Sequence, residues 1–265
     1  MRYAIYWAPQ VEHPLWDAGC RWLGRYPDVA ATAASDSASA SVPTSAPKSE
    51  SRTDMSRLQE LPCKSKSPIC VDVPIDQPAR YGFHATLKAP FPLRLDADAD
   101  AFFATVGQLA QSTASFDLPP LTVDWLGEEG KRFLALRPTV EPGPSHALRR
   151  LADRCVRELD VWRRPPSPAE LERRVAGIDA NSRPWMHALR WGYPFVMDSW
   201  RFHMTLSDPM SAWRPQQDPA AALRAACAHF DAALSSPVRC RSICIFVESE
   251  PGAPFHLERR FALAA

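Results

Sequence analysis

A chain of 265 residues, 46% apolar and 23% charged, has the balance of an ordinary globular protein of one large domain or two closely packed lobes. Lys+Arg 31 against Asp+Glu 30 leaves a net charge of +1, which gives no sign of a broad nucleic-acid-coating surface and leaves room for a local basic cleft. With no apolar run of about 18 residues, no basic and apolar leader in MRYAIYWAP, and seven irregularly spaced cysteines that fit reduced thiols, the expected place is the cytoplasm, away from membranes.

Tyr3 to Trp7 (YAIYW) is rich in β-branched and aromatic residues and bounded by Pro9, which predicts a strand. A short helix over Pro14 to Leu23 follows, ending near Gly24. From Ala30 to Glu50 the chain is nearly all Ala, Ser, Thr and Pro, with too little apolar surface to offset its ordering entropy. Residues 29–77 are therefore expected to be a poorly ordered surface insertion, with at most a turn of helix near Met55 to Leu61.

From Arg80 to Phe91 (RYGFHATLKAPF) polar and apolar residues alternate, which is the period of a strand. Tyr81, Phe83, Ala85, Leu87 and Ala89 form a core face; Arg80, Gly82, His84, Thr86 and Lys88 form the opposite one. Trp200 to Ser207 (WRFHMTLS) repeats the pattern, with Trp200, Phe202, Met204 and Leu206 inward and Arg201, His203, Thr205 and Ser207 outward. Each strand is followed by a helix and two further strands. The first half has a helix over about Ala97 to Ala110, then strands Leu121 to Leu126 and Arg132 to Arg137. The second has a helix over Pro219 to Leu234, capped by Asp218, then strands at about Arg239 to Val247 and Phe255 to Ala262. The two histidines stand 203 − 84 = 119 residues apart and the later elements keep nearly that offset, the mark of an internal duplication.

Helical sequence joins the halves. Leu148, Leu151, Cys155, Leu159 and Trp162 recur at helical spacing, and Ser167-Pro168-Ala169-Glu170 has the form of a capping box for a helix that stops by Gly177. The stripe Arg150, Arg154, Arg157 reads as a solvated face rather than a phosphate patch.

Of seven histidines, only His84 and His203 have Thr two residues on, in His-Ala-Thr-Leu and His-Met-Thr-Leu. Residues i and i+2 of a strand point the same way, so each motif presents an imidazole beside a hydroxyl. Histidine titrates near neutrality, so one ring can remove a proton while the other supplies one to a departing alkoxide. The hydroxyls of Thr86 and Thr205 can donate to the non-bridging oxygens of a phosphate, with Lys88 and Arg201 on the same faces as cationic contacts. The plainer reading is that the histidines are satisfied core residues, the threonines good strand formers, and the cations exposed strand ends.

This pair of motifs, one per half, resembles the two-histidine phosphoesterase superfamily, which includes RNA 2′,3′-cyclic phosphodiesterases, often called 2′-5′ RNA ligases. The run Arg80 to Phe91, with Trp191-Gly192-Tyr193-Pro194-Phe195-Val196 and Arg201 to Leu206, is similar to a bacterial branch labelled phosphonate-metabolism proteins. The resemblance covers nearly the whole chain outside 29–77. It implies an α+β fold: two pseudo-symmetric lobes of antiparallel sheet with flanking helices around a central groove. Lobe one would span about 1–28 and 78–140, the helical connection 144–190 and lobe two 191–265. It also implies catalysis by His84 and His203 and substrate contacts from Thr86, Thr205, Lys88, Arg201 and Tyr193. The implied substrate is a small phosphate ester or cyclic phosphate, such as one of ribose, or less readily an RNA end. The enzyme would act as a monomer, with no metal and no cofactor. Two other readings use the same residues. One is a metallohydrolase, with His187 as a third ligand, although no His-Glu-x-x-His spacing is present and Cys240 and Cys244 lack a second pair. The other is a phosphate- or nucleotide-binding module without turnover; with 10 glycines and no glycine-rich phosphate loop, P-loop and dinucleotide-binding sites are not expected.

Overall fold

A computed structural model describes residues 1–26 and 72–265. Most of the expected 29–77 insertion, including Met55 to Leu61, lies outside the described residues. The upper boundary of that expectation needs correction. Val73 and Ile75 pack against the main core, and a helix, α2 (Asp76–Tyr81), begins four residues before Arg80. Asp208 is the reason: its carboxylate accepts the N–H groups of Asp76 at 3.0 Å and Gln77 at 2.9 Å, satisfying donors that a helix start leaves open.

The first strand, β1 (Arg2–Trp7), is followed by α1 (Pro14–Trp22). After α2 come β2 (Ala85–Phe91), α3 (Ala99–Gln111), the two-residue β3 (Phe116–Asp117), β4 (Leu121–Leu126) and β5 (Phe133–Pro138). The connection holds α4 (Ala147–Glu158), α5 (Pro168–Val175) and α6 (Arg183–Trp191). The remainder is β6 (Met204–Thr205), α7 (Pro219–Leu234), β7 (Arg239–Cys240), β8 (Ser242–Glu248) and β9 (His256–Ala262). The fold is α+β. Among the described residues, seven strands form one sheet in the order β4-β5-β6-β2-β1-β8-β9, every neighbouring pair antiparallel, and β3 pairs with β7 in a small second sheet.

The halves interleave. The β4–β5 hairpin of the first half flanks β6, the histidine strand of the second, while β2 lies beside β1, which carries the β8–β9 hairpin on its other side. The two histidine strands are therefore neighbours at the centre, joined by a single pair, Ala85↔Met204.

Local chemistry sets the helix ends. Asp218 caps α7 by accepting from Ala220 N at 2.8 Å, with Pro219 in the first turn. Ser167 and Glu170 form the reciprocal capping box of α5. Strand β1 is covered on both faces. Tyr3, Ile5 and Trp7 join the larger core with α1, α3, α4 and α7, while Ala4 and Tyr6 join a smaller cluster with Phe246 and Phe255. A strand buried on both faces needs near-continuous apolar sequence, which YAIYW supplies.

Candidate active site

Gly82 ends α2 with φ 78 and turns the chain into β2. Phe83 drives into the core against Gly19 of α1, so closely that a Cβ at Gly19 would stand 2.1 Å from the ring. His84, next in line, is thereby aimed to the opposite side. Its Nδ1 donates to the Gly82 carbonyl at 2.8 Å, which leaves Nε2 as the lone-pair nitrogen, 3.2 Å from Thr86 Oγ1. The ring stacks on Tyr6, with centroids 3.6 Å apart and planes at 17°.

The second copy repeats the tether. His203 Nδ1 donates to the Arg201 carbonyl at 3.0 Å, again two residues back. Both extended segments are also held by indoles: Trp200 Nε1 donates to the Thr86 carbonyl at 2.9 Å, and Trp22 Nε1 to the Leu206 carbonyl at 2.7 Å. Between Trp200 and His203 the chain lies outside the ladder, so the expected eight-residue strand contracts to Met204–Thr205. Its alternation survives to Leu206 and then breaks: Ser207 is buried, accepting from Leu134 N at 2.9 Å.

His84, Thr86, His203 and Thr205 line one groove of about 360 Å³. Tyr193 lines it too, set just after the left-handed Gly192 cap of α6. The structure does not bring Lys88 or Arg201 there. One extra residue of β2 sits between the pairs Tyr6↔Thr86 and Ile5↔Lys88, and such a bulge re-aims the side chain beyond it. Lys88 is therefore 4% exposed and donates to Val156 O at 3.1 Å and Asp160 Oδ1 at 3.2 Å. Burial, opposed by Asp160, lowers its pKa to about 8. Arg201 is exposed and folds back onto the carbonyls of Asp198 and Trp200 at 3.1 and 2.9 Å.

Arg2, Tyr6 and Arg174 line the groove without any mark in the sequence, and Tyr81, expected on the core face, lines it as well. Arg2 shares the buried Glu248 carboxylate with Arg80, and Arg174 donates to the Gly192 carbonyl. Nothing in the period of β1 or α5 marks them, because the groove is assembled from elements far apart in sequence.

Burial lowers the pKa of His84 to about 4, partly offset by the Gly82 carbonyl and deepened by the charge of His203. Burial also lowers His203, against the raising effects of the Arg201 carbonyl and Glu141. Two neutral imidazoles with their Nε2 atoms free of backbone partners, beside two hydroxyls, can exchange protons with a bound phosphate ester. Among the described residues, no group of three or more His, Cys, Asp or Glu side chains is placed to hold a metal ion. His187, the suggested third ligand, lies in a separate cleft beside Asp198. Among those residues, too, no helix is long and apolar enough to cross a membrane.

Residues 86–256 match the family described as "Protein of unknown function (DUF1045)". The chain belongs to this family. Two curated relatives, both called "Ribose 1,5-bisphosphate phosphokinase PhnN", come from Laribacter hongkongensis (strain HLHK9) and Janthinobacterium sp. (strain Marseille). They are 33% and 32% identical over 98% and 96% of this chain. The chain spans about half of their length, 51% and 49%. A solved structure described as "Crystal structure of phosphoesterase" aligns with 100% of this chain and 99% of its own at 13% identity and a TM-score of 0.40, too loose a likeness to carry an argument.

Proposed function

We propose that the protein is a cyclic phosphodiesterase that opens a cyclic phosphate of a ribose or nucleotide by general acid–base catalysis from His84 and His203. The observation that carries this reading is the repeated tether: in both motifs Nδ1 donates to the carbonyl two residues back, and both rings meet in one groove with their threonines. Holding Nδ1 as the donor commits Nε2 to proton exchange with the ligand.

In the proposed reaction one imidazole takes a proton from water as the water oxygen bonds to phosphorus. The P–O bond to the ring oxygen breaks, and the second imidazole, protonated, gives its proton to that alkoxide. Thr86 and Thr205 donate to the non-bridging oxygens, whose charge must be held throughout. We assign the base to His84, which burial keeps neutral down to about pH 4, and the acid to His203, whose pKa burial also lowers but the Arg201 carbonyl and Glu141 oppose. The relatives are named for a kinase acting on a phosphorylated ribose. This chain has no glycine-rich phosphate loop, so we assign that kinase activity to the half of those proteins that it does not match.

Nucleoside 2′,3′-cyclic and ribose 1,2-cyclic phosphates, followed by phosphorus NMR, test the proposal. A monoester product is expected, formed equally after prolonged chelation. His84→Ala and His203→Ala should each lower the rate by about 10²–10⁴-fold. Loss of activity on chelation with recovery on adding zinc would instead establish a metallohydrolase. Tight phosphate binding without turnover on any ester would establish a binding module.

A further inference from the structure

We propose that the groove carries a second anion subsite, built on Arg2 and Arg174, and that the substrate is a phosphodiester bearing a separate phosphate monoester. The assignment of the diester rests on the reading of the histidine end given above; the subsite itself rests on charge and position.

Arg2 and Arg174 line the same groove as His84 and His203, and lie close enough to each other for the charge of Arg2 to act on Arg174. Arg2 and Tyr6 stand four residues apart on one face of β1, a separation of about 13 Å along a strand. Since Tyr6 is stacked on His84 and feels the charge of Arg2, the guanidinium of Arg2 lies farther along the same groove from the histidine end. Tyr193 and Tyr81, the latter hydrogen-bonded with Arg2, line the groove as well and can pack their rings against a sugar or base.

The charges at this end do not balance. Glu248, 1% exposed, is one carboxylate shared by two guanidiniums, those of Arg2 and Arg80. Arg174 donates to a neutral acceptor, the Gly192 carbonyl. Glu170, the carboxylate that acts on it most, is engaged by the Ser167 N–H and by Arg164. Burial accordingly lowers the pKa of Arg174, a cost that a bound anion would remove. A phosphodiester brings one negative charge, and Thr86, Thr205 and the imidazoles already serve it. A monoester, at about −1.5 to −2 near neutrality, matches the unused guanidinium donors.

The test compares a nucleoside 2′,3′-cyclic phosphate with the same compound carrying a 5′-phosphate. Wild type should favour the 5′-phosphorylated ester by about tenfold or more in kcat/KM, and Arg174→Gln should bring the two within about twofold. Arg174→Lys, which keeps the charge without the fork, should retain part of the preference. Equal kcat/KM for the two esters in wild type would overturn the subsite and leave the phosphodiesterase reading intact. If neither ester is turned over, calorimetry with ribose 5-phosphate on the His84→Ala protein decides. Binding that weakens about tenfold on adding Arg174→Gln upholds the subsite independently of catalysis, and no binding overturns it.

Discussion

His84 and His203 share one backbone tether and differ in their surroundings. Tyr6 covers one face of the His84 ring and the charge of His203 adds to its burial, whereas Glu141 works in favour of the His203 cation. If His84 is the base, kcat/KM falls as pH drops through about 4, where its ring takes up a proton. If His203 is the acid, activity also falls as pH rises through its pKa, which lies below the ordinary 6.5. The expected profile is a bell with its maximum on the acid side of pH 6.5, its limbs belonging to the coupled pair. Measurement of kcat/KM from pH 3.5 to 8 checks this, and a maximum near pH 8 would contradict it. At this scale the His-x-Thr pairs were legible because a period of two puts i and i+2 on one side. Lys88 was misplaced because alternation carries no sign of a bulge, and Arg174 was missed because it reads as one more cation on an amphipathic helix.

Among the elements, the contact between α1 and the start of β2 has the most direct bearing on the groove. A Cβ at Gly19 would stand 2.1 Å from Phe83 Cδ1, and Phe83 is fully buried one residue before His84. Gly19→Ala improves helix propensity yet forces the ring away. The variant should lose about 1–3 kcal/mol, the usual scale for overpacking, and lose turnover as the His84 tether shifts. Urea denaturation and the rate on a cyclic ester measure both effects. A gain in stability with unchanged rate would show that α1 simply moves aside. The helix ends were readable from Asp218, Ser167 and Glu170, whose capping bonds are local. The α2 helix was not, because its N-terminal donors are satisfied by Asp208, 132 and 131 residues away.

For the molecule as a whole, acid is the condition that tests the charges buried around the groove. Burial would raise the Glu248 carboxyl, but Arg2, the Gly252 N–H and Arg80 outweigh it and hold it at about 2. A carboxyl depressed on folding stabilises above its unfolded pKa of roughly 4.3, and that stability is lost as pH falls toward 2. His84 obeys the same sign with a different window. The unfolded ring takes a proton near 6.5 and the folded one only near 4, so stability present above pH 6.5 is lost on descending to 4. Thermal melts should therefore decline in two stages, beginning below pH 6.5. In His84→Asn the first stage should shrink while the second, below about pH 4.3, remains. An undiminished first stage in that variant would assign it to other groups.

The strand–helix–strand–strand order of each half and the two His-x-Thr pairs were determined by the sequence alone, since each depends on period, propensity or capping within a few residues, while the α+β class was implied by the family resemblance of the motifs. Tertiary structure decided the rest. It interleaved the halves so that β6 joins the β4–β5 hairpin and β2 joins β1, which makes the two histidine strands neighbours. It turned Lys88 into the core through a bulge and folded Arg201 outward. It brought Arg2 and Arg174 to the groove from opposite parts of the chain. The physical reason is common to all of these. Side-chain direction follows from local backbone period, whereas strand order, bulges and the charge balance of a cleft follow from long-range packing and desolvation, which no single segment encodes.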